Sequence, residues 1–313
     1  MKIVVLDAKT LGCDVNLDIL KEFGELIVFD TTKYEETIDR IKDADIVVTN
    51  KVILDKQILE SAKNLKLICI AATGMNNVDL NYAKTKNIEV KNVVGYSTES
   101  VVQHTFALAF YLIEHLKKYD EFVKSKSWSS SDIFTCLNWP FFEIHNKRWG
   151  IIGLGTIGKR VAQVAKSFGC EVVYYSTSGK NLDNEFKHIP LDTLLCTSDI
   201  ISIHAPLNEK TQNLLNKTNI IKLKNRAVLL NLGRGGIINE EDLAKIVDEK
   251  EIYVGLDVTQ KEPIDKNSPL LNLKNQDRVF ITPHIAWTSI EARERLLMGI
   301  VKNIEEFLEG KEQ

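Results

Sequence analysis

Three glycines, Gly153, Gly155 and Gly158, are spaced as G-x-G-x-x-G, and their surroundings constrain the fold more than any other feature of the chain. Before them runs the apolar stretch Gly150 to Ile152, which reads as a buried strand. After them Val161, Ala162, Val164, Ala165 and Phe168 recur at helical spacing, and Gly169 supplies a stop. A glycine triplet between a strand and a helix is the context in which this otherwise weak pattern becomes informative. Gly153 permits the tight turn, Gly155 lets the backbone approach a pyrophosphate, and Gly158 lets helix and strand pack closely. The helix N-terminus then aims free N–H groups at the phosphates.

At 313 residues the chain has length for about two domains. A net charge of −3 leaves no basic footprint for nucleic acid. The N-terminal segment from Met1 lacks the apolar core and cleavage site of a secretion signal and reads directly as a strand. No apolar run approaches the length of a membrane span. Cys13, Cys69, Cys136, Cys170 and Cys196 are scattered, odd in number and without C-x-x-C spacing. They are expected to be reduced thiols, each a small core hydrophobe, in a cytoplasmic protein with no metal site and no disulfide framework.

Over the first 98 residues or so, strand-like runs (Lys2–Leu6, Glu25–Phe29, Asp45–Val48, Lys66–Ala71, Ile88–Val90) alternate with amphipathic segments (Asn16–Phe23, Tyr34–Ile41, Asp55–Ala62, Asp79–Lys86). That alternation predicts a parallel sheet covered by helices on both faces. Ligands of such sheets bind beyond the carboxyl ends of strands. Two loops stand there: Val48 to Lys51, and Ala72 to Asp79. N–H groups around Thr73 and Gly74 could form an anion-binding nest; spacing alone favours a polar loop with an Asn capping the next helix. From Val101 to about His115 comes a helix apolar almost all round, which must be buried on several sides, between domains or at a subunit interface. Residues 125–148 read as a connection into the glycine strand. Strands at Glu171–Tyr175, Asp199–Ile203, Ala227–Asn231, Ile252–Leu256 and Val279–Ile281 complete a second, six-stranded unit, and Ser289–Leu308 forms a final amphipathic helix expected to fold back on the first unit.

A dinucleotide-binding unit commonly ends its second strand in an acid that binds the ribose 2′-hydroxyl. Here Ser176 stands at that place, with Lys180 four residues on. Hydroxyls and a lysine tolerate a 2′-phosphate better than a carboxylate would, so NAD and NADP both stay open. Near the ends of later strands lie Arg234, Glu262 and His284. An arginine can fork onto a carboxylate, a histidine can exchange an alcohol proton near neutral pH, and a carboxylate on the other ring nitrogen favours the imidazolium. Alone, each is as easily a turn or loop residue. Their shared position after strands of a dinucleotide-binding sheet is what lifts them. His104, His115, His145 and His188 are weaker candidates, and His204 is read as a wall of the cofactor pocket.

In their order, Thr73-Gly74 with Asn77-Val78-Asp79, the glycine motif, His204-Ala205-Pro206-Leu207, Asn231 with Gly233-Arg234-Gly235, Asp257 with Glu262-Pro263, and Thr282-Pro283-His284 resemble the D-isomer-specific 2-hydroxyacid dehydrogenases. Thr49 to Val52, Gly95 to Thr98, Ser100 to Thr105 and His284 to Trp287 resemble the glycerate dehydrogenase (hydroxypyruvate reductase) branch. The resemblance implies an α/β protein of two doubly wound parallel-sheet domains with a cleft between them. A flavodoxin-like substrate domain would comprise 1–99 plus 285–313, and a Rossmann dinucleotide-binding domain 100–284. It implies that Arg234, Glu262 and His284 are catalytic. Gly153, Gly155, Thr156, Ile157 and Gly158, with Ser176, Lys180, His204, Ala205, Pro206, Thr211, Leu232, Gly233, Asp257 and His284, would bind NAD or NADP, Asp257 through the nicotinamide carboxamide. Lys51, Thr73, Gly74, Met75, Arg234 and His284 would bind a short 2-keto or 2-hydroxy acid, hydroxypyruvate or glyoxylate first. A homodimer would form through the helix from about Ser100 to His115. A D-lactate-type dehydrogenase, or a dinucleotide-sensing corepressor of the same fold, are the alternatives.

Overall fold

The computed structural model describes residues 1–180 and 182–310. The chain divides into two compact units, Met1–Ser97 with Thr288–Gln313, and Thr98–Trp287; of the expected C-terminal stretch, residues 311–313 lie outside the described residues.

In the first unit β1 (Lys2–Val5), β2 (Glu25–Val28), β3 (Ile46–Thr49), β4 (Leu67–Ile70) and β5 (Glu89–Asn92) form one sheet in the order β2-β1-β3-β4-β5, every pair parallel. The inner strands β3 and β4 are buried along their whole length, which is why they read as unbroken apolar runs rather than alternations. Between strands lie α1 (Tyr34–Ile41), α2 (Lys56–Ser61) and α3 (Leu80–Thr85). The segment expected as a helix over Asn16–Phe23 is a 3-10 helix, Leu17–Phe23. Asp79, not an asparagine of the preceding loop, caps α3 by accepting the Tyr82 N–H.

The second unit opens with α4 (Thr98–Ile113) and α5 (Leu116–Lys124), followed by β6 (Arg148–Ile152), α6 (Thr156–Ser167), β7 (Glu171–Tyr175), β8 (Lys187–His188), α7 (Leu191–Thr197), β9 (Ile200–Ile203), α8 (Lys217–Ile220), β10 (Val228–Asn231), α9 (Glu240–Glu249), β11 (Tyr253–Leu256) and β12 (Val279–Ile281). Its all-parallel sheet runs β12-β11-β10-β9-β6-β7-β8. The sheet has seven strands rather than six. The extra strand, Lys187–His188, is two exposed polar residues at an edge and carries no apolar pattern that would mark it.

Helix α4 is buried within this unit: Val101, Val102, Phe106, Leu108, Ala109, Leu112 and Ile113 join the core with Trp149, Val161 and Leu230, against α6, β10 and β11. Much of its apolar girth is therefore covered within its own unit, while Phe110 and Tyr111 are only half-buried. Exposed apolar side chains follow it, with Phe134 90% and Leu137 73% exposed. The thiols also divide: Cys69 and Cys170 are buried, whereas Cys13 and Cys196 are exposed and Cys136 is half-buried, so the expectation of five core thiols fails for three.

The last helix, α10 (Ile290–Glu309), is capped by Ser289 and packs on β4 and β5 of the first unit through Ala292, Leu296, Ile300, Ile304 and Phe307. No helix among the described residues is long and apolar enough to cross a membrane.

Candidate active site

Strand register explains why residues far apart in sequence meet. Tyr175, Ile152, Ile203, Asn231, Leu256 and Ile281 lie side by side across six strands of the second sheet. One residue further on, the row becomes Ser176, Gly153, His204, Leu232, Asp257 and Thr282. The ladder continues into it, with Gly153 N–H on Tyr175 O, His204 N–H on Ile152 O, Asp257 N–H on Asn231 O and Thr282 N–H on Leu256 O, all within 3.0 Å. Every candidate of this unit therefore leaves the sheet at a single edge. Strand order reverses between β6 and β9, the position at which doubly wound sheets open a crevice for ligands.

The glycine loop stands at that reversal. Gly153 has φ 92°, and a side chain there would meet the Ala205 backbone at 2.9 Å. A Cβ at Gly158 would lie 2.1 Å from Gly153 O, so helix α6 reaches the turn only because this position is bare. Gly155, the N-cap, faces open space. The first helical bond of α6 runs from Lys159 N–H to Gly155 O, which leaves the N–H groups of the preceding turn, Thr156 and Ile157 among them, for an anion. The cradle thus fits a pyrophosphate. Ser176 is buried, and its hydroxyl has no hydrogen-bond partner among the described residues. Lys180 is exposed beyond it.

His204 carries both ring nitrogens enclosed and without a partner among the described residues, and burial pushes it down to about 3, so it stays neutral. Thr211 donates to Pro206 O at 2.7 Å and accepts from Asn208 N–H at 2.8 Å, holding the loop after His204 closed. Gly233 passes so near Ala205 O that a Cβ would sit 2.8 Å away, and Leu232 is buried beside it.

On the far side of the row, His284 Nδ1 faces Glu262 Oε2 at 2.7 Å, and the Thr259 N–H holds the other oxygen, Oε1, at 3.1 Å. His284 is a left-handed residue, φ 55°, an uncommon conformation for a side chain with a Cβ. Asp257 accounts for it. Only 1% exposed, its carboxylate accepts the Thr282 hydroxyl at 2.6 Å and the Ile285 and Ala286 N–H groups at 2.8 and 2.9 Å, clasping the loop on both sides of His284. Burial would push Asp257 up, but those donors and His104 hold it below the ordinary carboxyl range. Sequence ranked His104 low. In the structure its Nε2 lies 3.0 Å from Thr282 Oγ1 and 3.5 Å from Asp257.

Arg234 follows β10, with its guanidinium on Gly233 O at 2.9 Å. The next residue, Gly235, lies against Thr259, the residue that holds Glu262. Arg234, Glu262 and His284 are thereby linked through one run of loop contacts.

In the first unit, Asp7 ends the strand segment at the β1/β3 reversal and accepts the N–H groups of Asn50 and Lys51, the latter at 2.7 Å. The Thr73 hydroxyl donates to Val93 O at 3.1 Å, and Asn92 donates to Thr73 O at 2.6 Å. The loop is therefore fixed by its side chains and carbonyls. Met75 is half-buried and packs in part against this unit's apolar core.

A sequence profile described as "D-isomer specific 2-hydroxyacid dehydrogenase, NAD binding domain" matches residues 106–286. The chain is 40% identical to a hydroxypyruvate reductase of Blautia hydrogenotrophica, across 99% of this chain and 98% of that one. Among solved structures it is similar to an acyclic imino acid reductase in complex with NADPH and D-Arg, at 30% identity and a TM-score of 0.87, covering 99% of this chain and 98% of the other. It is also similar to a D-lactate dehydrogenase of Aquifex aeolicus complexed with NAD and lactic acid, at 28% identity and a TM-score of 0.85, covering 99% and 96%.

Proposed function

Because the chain belongs to the D-isomer-specific 2-hydroxyacid dehydrogenases, we propose that it reduces a short 2-keto acid, hydroxypyruvate or glyoxylate first, to the D-2-hydroxy acid. It is an oxidoreductase of CH–OH donors and takes a nicotinamide dinucleotide. The observation that carries the mechanism is the 2.7 Å contact between His284 Nδ1 and Glu262 on the sheet edge that also bears the glycine cradle.

A reduced nicotinamide, when bound, supplies a hydride for the carbonyl carbon. Gly155, Thr156 and Ile157 would hold its pyrophosphate, and Ser176 the adenosine ribose. Ala205, Leu232 and Gly233 would line its pocket. Asp257 Oδ2, which accepts one loop N–H, keeps a lone pair for the carboxamide. Arg234 forks onto the substrate carboxylate and polarises the keto oxygen. His284 gives the Nε2 proton to the oxygen as it becomes an alkoxide, while Glu262 on Nδ1 fixes the ring and favours its charged form. In oxidation neutral His284 takes that proton back. In the first unit, the N–H groups of Thr73 and Gly74 are donors suited to a carboxylate, with Lys51 as a nearby cation. We assign a homodimer built around α4 and the exposed apolar segment that follows it, whose side chains association would bury.

Initial rates with hydroxypyruvate, glyoxylate and pyruvate, each with NADH and NADPH, test the activity. His284→Ala is expected to lower kcat by about 10²–10⁴-fold while dinucleotide binding, followed by fluorescence titration, persists. Unchanged turnover would remove His284 from the mechanism. Preference for pyruvate would move the assignment to the D-lactate type, and dinucleotide binding with no turnover of any keto acid would favour a sensor.

A further inference from the structure

Two carboxylates occupy consecutive peptide N–H groups behind His284. The Thr259 N–H holds Glu262 Oε1 at 3.1 Å, and the next, the Gln260 N–H, donates to Glu240 Oε1. Successive N–H groups of a turn make an anion-binding concavity, and neighbouring residues are only about 3.8 Å apart along the chain. Glu240 is the first residue of α9 and comes from a different part of the sequence. It reaches the turn because the loop before α9 lies flat on Thr259: a Cβ at Gly235 would fall 1.8 Å from Thr259 O.

Building on the assignment of Glu262 and His284 as the proton-handling pair, we propose that Glu240 is a positioning residue for it. Its carboxylate fixes the Thr259–Glu262 turn, and its charge adds to that of Glu262 in keeping His284 an imidazolium. Burial pushes Glu240 above the ordinary carboxyl range, against the pull of the Gln260 N–H, and the Glu262 charge adds to the rise. The N-terminal end of α9 favours the ionised form. The charges on neighbouring elements are those of Asp257, which holds the Ile285 and Ala286 N–H groups beside His284 and lies 3.5 Å from His104, of Lys261, paired with Asp265 at 2.6 Å, of Asp242, which accepts the Lys217 N–H at 2.9 Å, and of Arg234, whose guanidinium donates to Gly233 O and keeps its charge. Glu241, next on the helix, is exposed.

Glu240→Gln keeps an oxygen for the Gln260 N–H and removes only the charge. Titration of the His284 imidazole by NMR in ¹⁵N-histidine-labelled full-length protein, assigned by difference with His284→Gln, reads the effect without turnover. Loss of a nearby anion lowers a histidine's proton affinity, so the midpoint is expected to fall by roughly 0.5–1 pH unit. The alkaline limb of kcat/KM for keto-acid reduction should move the same way, and Glu240→Asp should restore both. An unmoved His284 midpoint in folded Glu240→Gln protein, verified by circular dichroism, overturns the proposal. A shifted midpoint in a protein whose wild type turns over no keto acid retains Glu240's role and defeats the dehydrogenase assignment. Turnover with an unmoved midpoint does the reverse.

Discussion

His284 stands beside Glu262 because Asp257 clasps the loop on both sides of the histidine. Arg234, Glu262 and His284 stand out by residue type and by their positions after strands. What pairs His284 with Glu262 is a loop clasped by Asp257, and no spacing rule announces that a carboxylate will hold the N–H groups 28 and 29 residues away. Glu240 shows the same limit. As Asn239-Glu240-Glu241-Asp242 it reads as an ordinary acidic first turn of a helix, and only the fold brings Gln260 to it. Ser176 is the reverse case, since the missing acid was visible and its burial was not. A buried hydroxyl with no partner can bind a ribose oxygen, and it places no charge against a 2′-phosphate. Ser176→Asp would set a carboxylate there, so the kcat/KM ratio of NADPH to NADH should drop by at least about tenfold through like-charge repulsion. An unchanged ratio would show that Ser176 does not touch the cofactor's adenosine end.

Among the elements, those with strong patterns were placed from sequence to within a residue or two. Strands β3, β4, β9, β10 and β11 are buried on both faces and read as continuous apolar runs. Elements held by context escaped. Strand β8 exists because Val173 and Tyr174 offer an edge to Lys187 and His188. The breadth of the apolar surface of α4 was correctly seen as demanding burial, but a helix cannot state whose atoms cover it. Here its own unit covers much of it, and further apolar surface stands exposed on the stretch carrying Phe134 and Leu137. Sedimentation is expected to give twice the 35.5 kDa of one chain, and the double change Phe134→Ser and Leu137→Ser should shift the mass toward the monomer. A wild-type monomer at micromolar concentration would remove the dimer.

For the whole molecule, buried titratable groups tie stability to pH. His204, ordinarily near 6.5, is pushed down to about 3 by burial. The unfolded chain therefore takes up a proton that the native state refuses once pH falls below about 6.5, and stability declines by roughly 1.4 kcal/mol per pH unit from this group. Asp257 is depressed instead, so its contribution is present above the ordinary carboxyl range and is lost only on further acidification. Between pH 7 and pH 5 the histidine dominates. His204→Asn should shrink the difference in unfolding free energy between those two values by about 2 kcal/mol, measured by urea denaturation. An equal difference in both proteins would mean that His204 is hydrated in solution.

Sequence alone determined the alternation of strand and helix, the glycine motif between a strand and a helix, and which side chains carry chemistry suited to the reaction. Each of these rests on local physics: periodicity, conformational freedom, the chemistry of a residue type. Tertiary structure decided what touches what. The parallel register that puts Ser176, Gly153, His204, Leu232, Asp257 and Thr282 in one row, the clasp of Asp257 on the His284 loop, and the meeting of Glu240 with the Gln260 N–H all depend on contacts between distant segments. Such contacts are set by packing of the entire sheet, which no local pattern records.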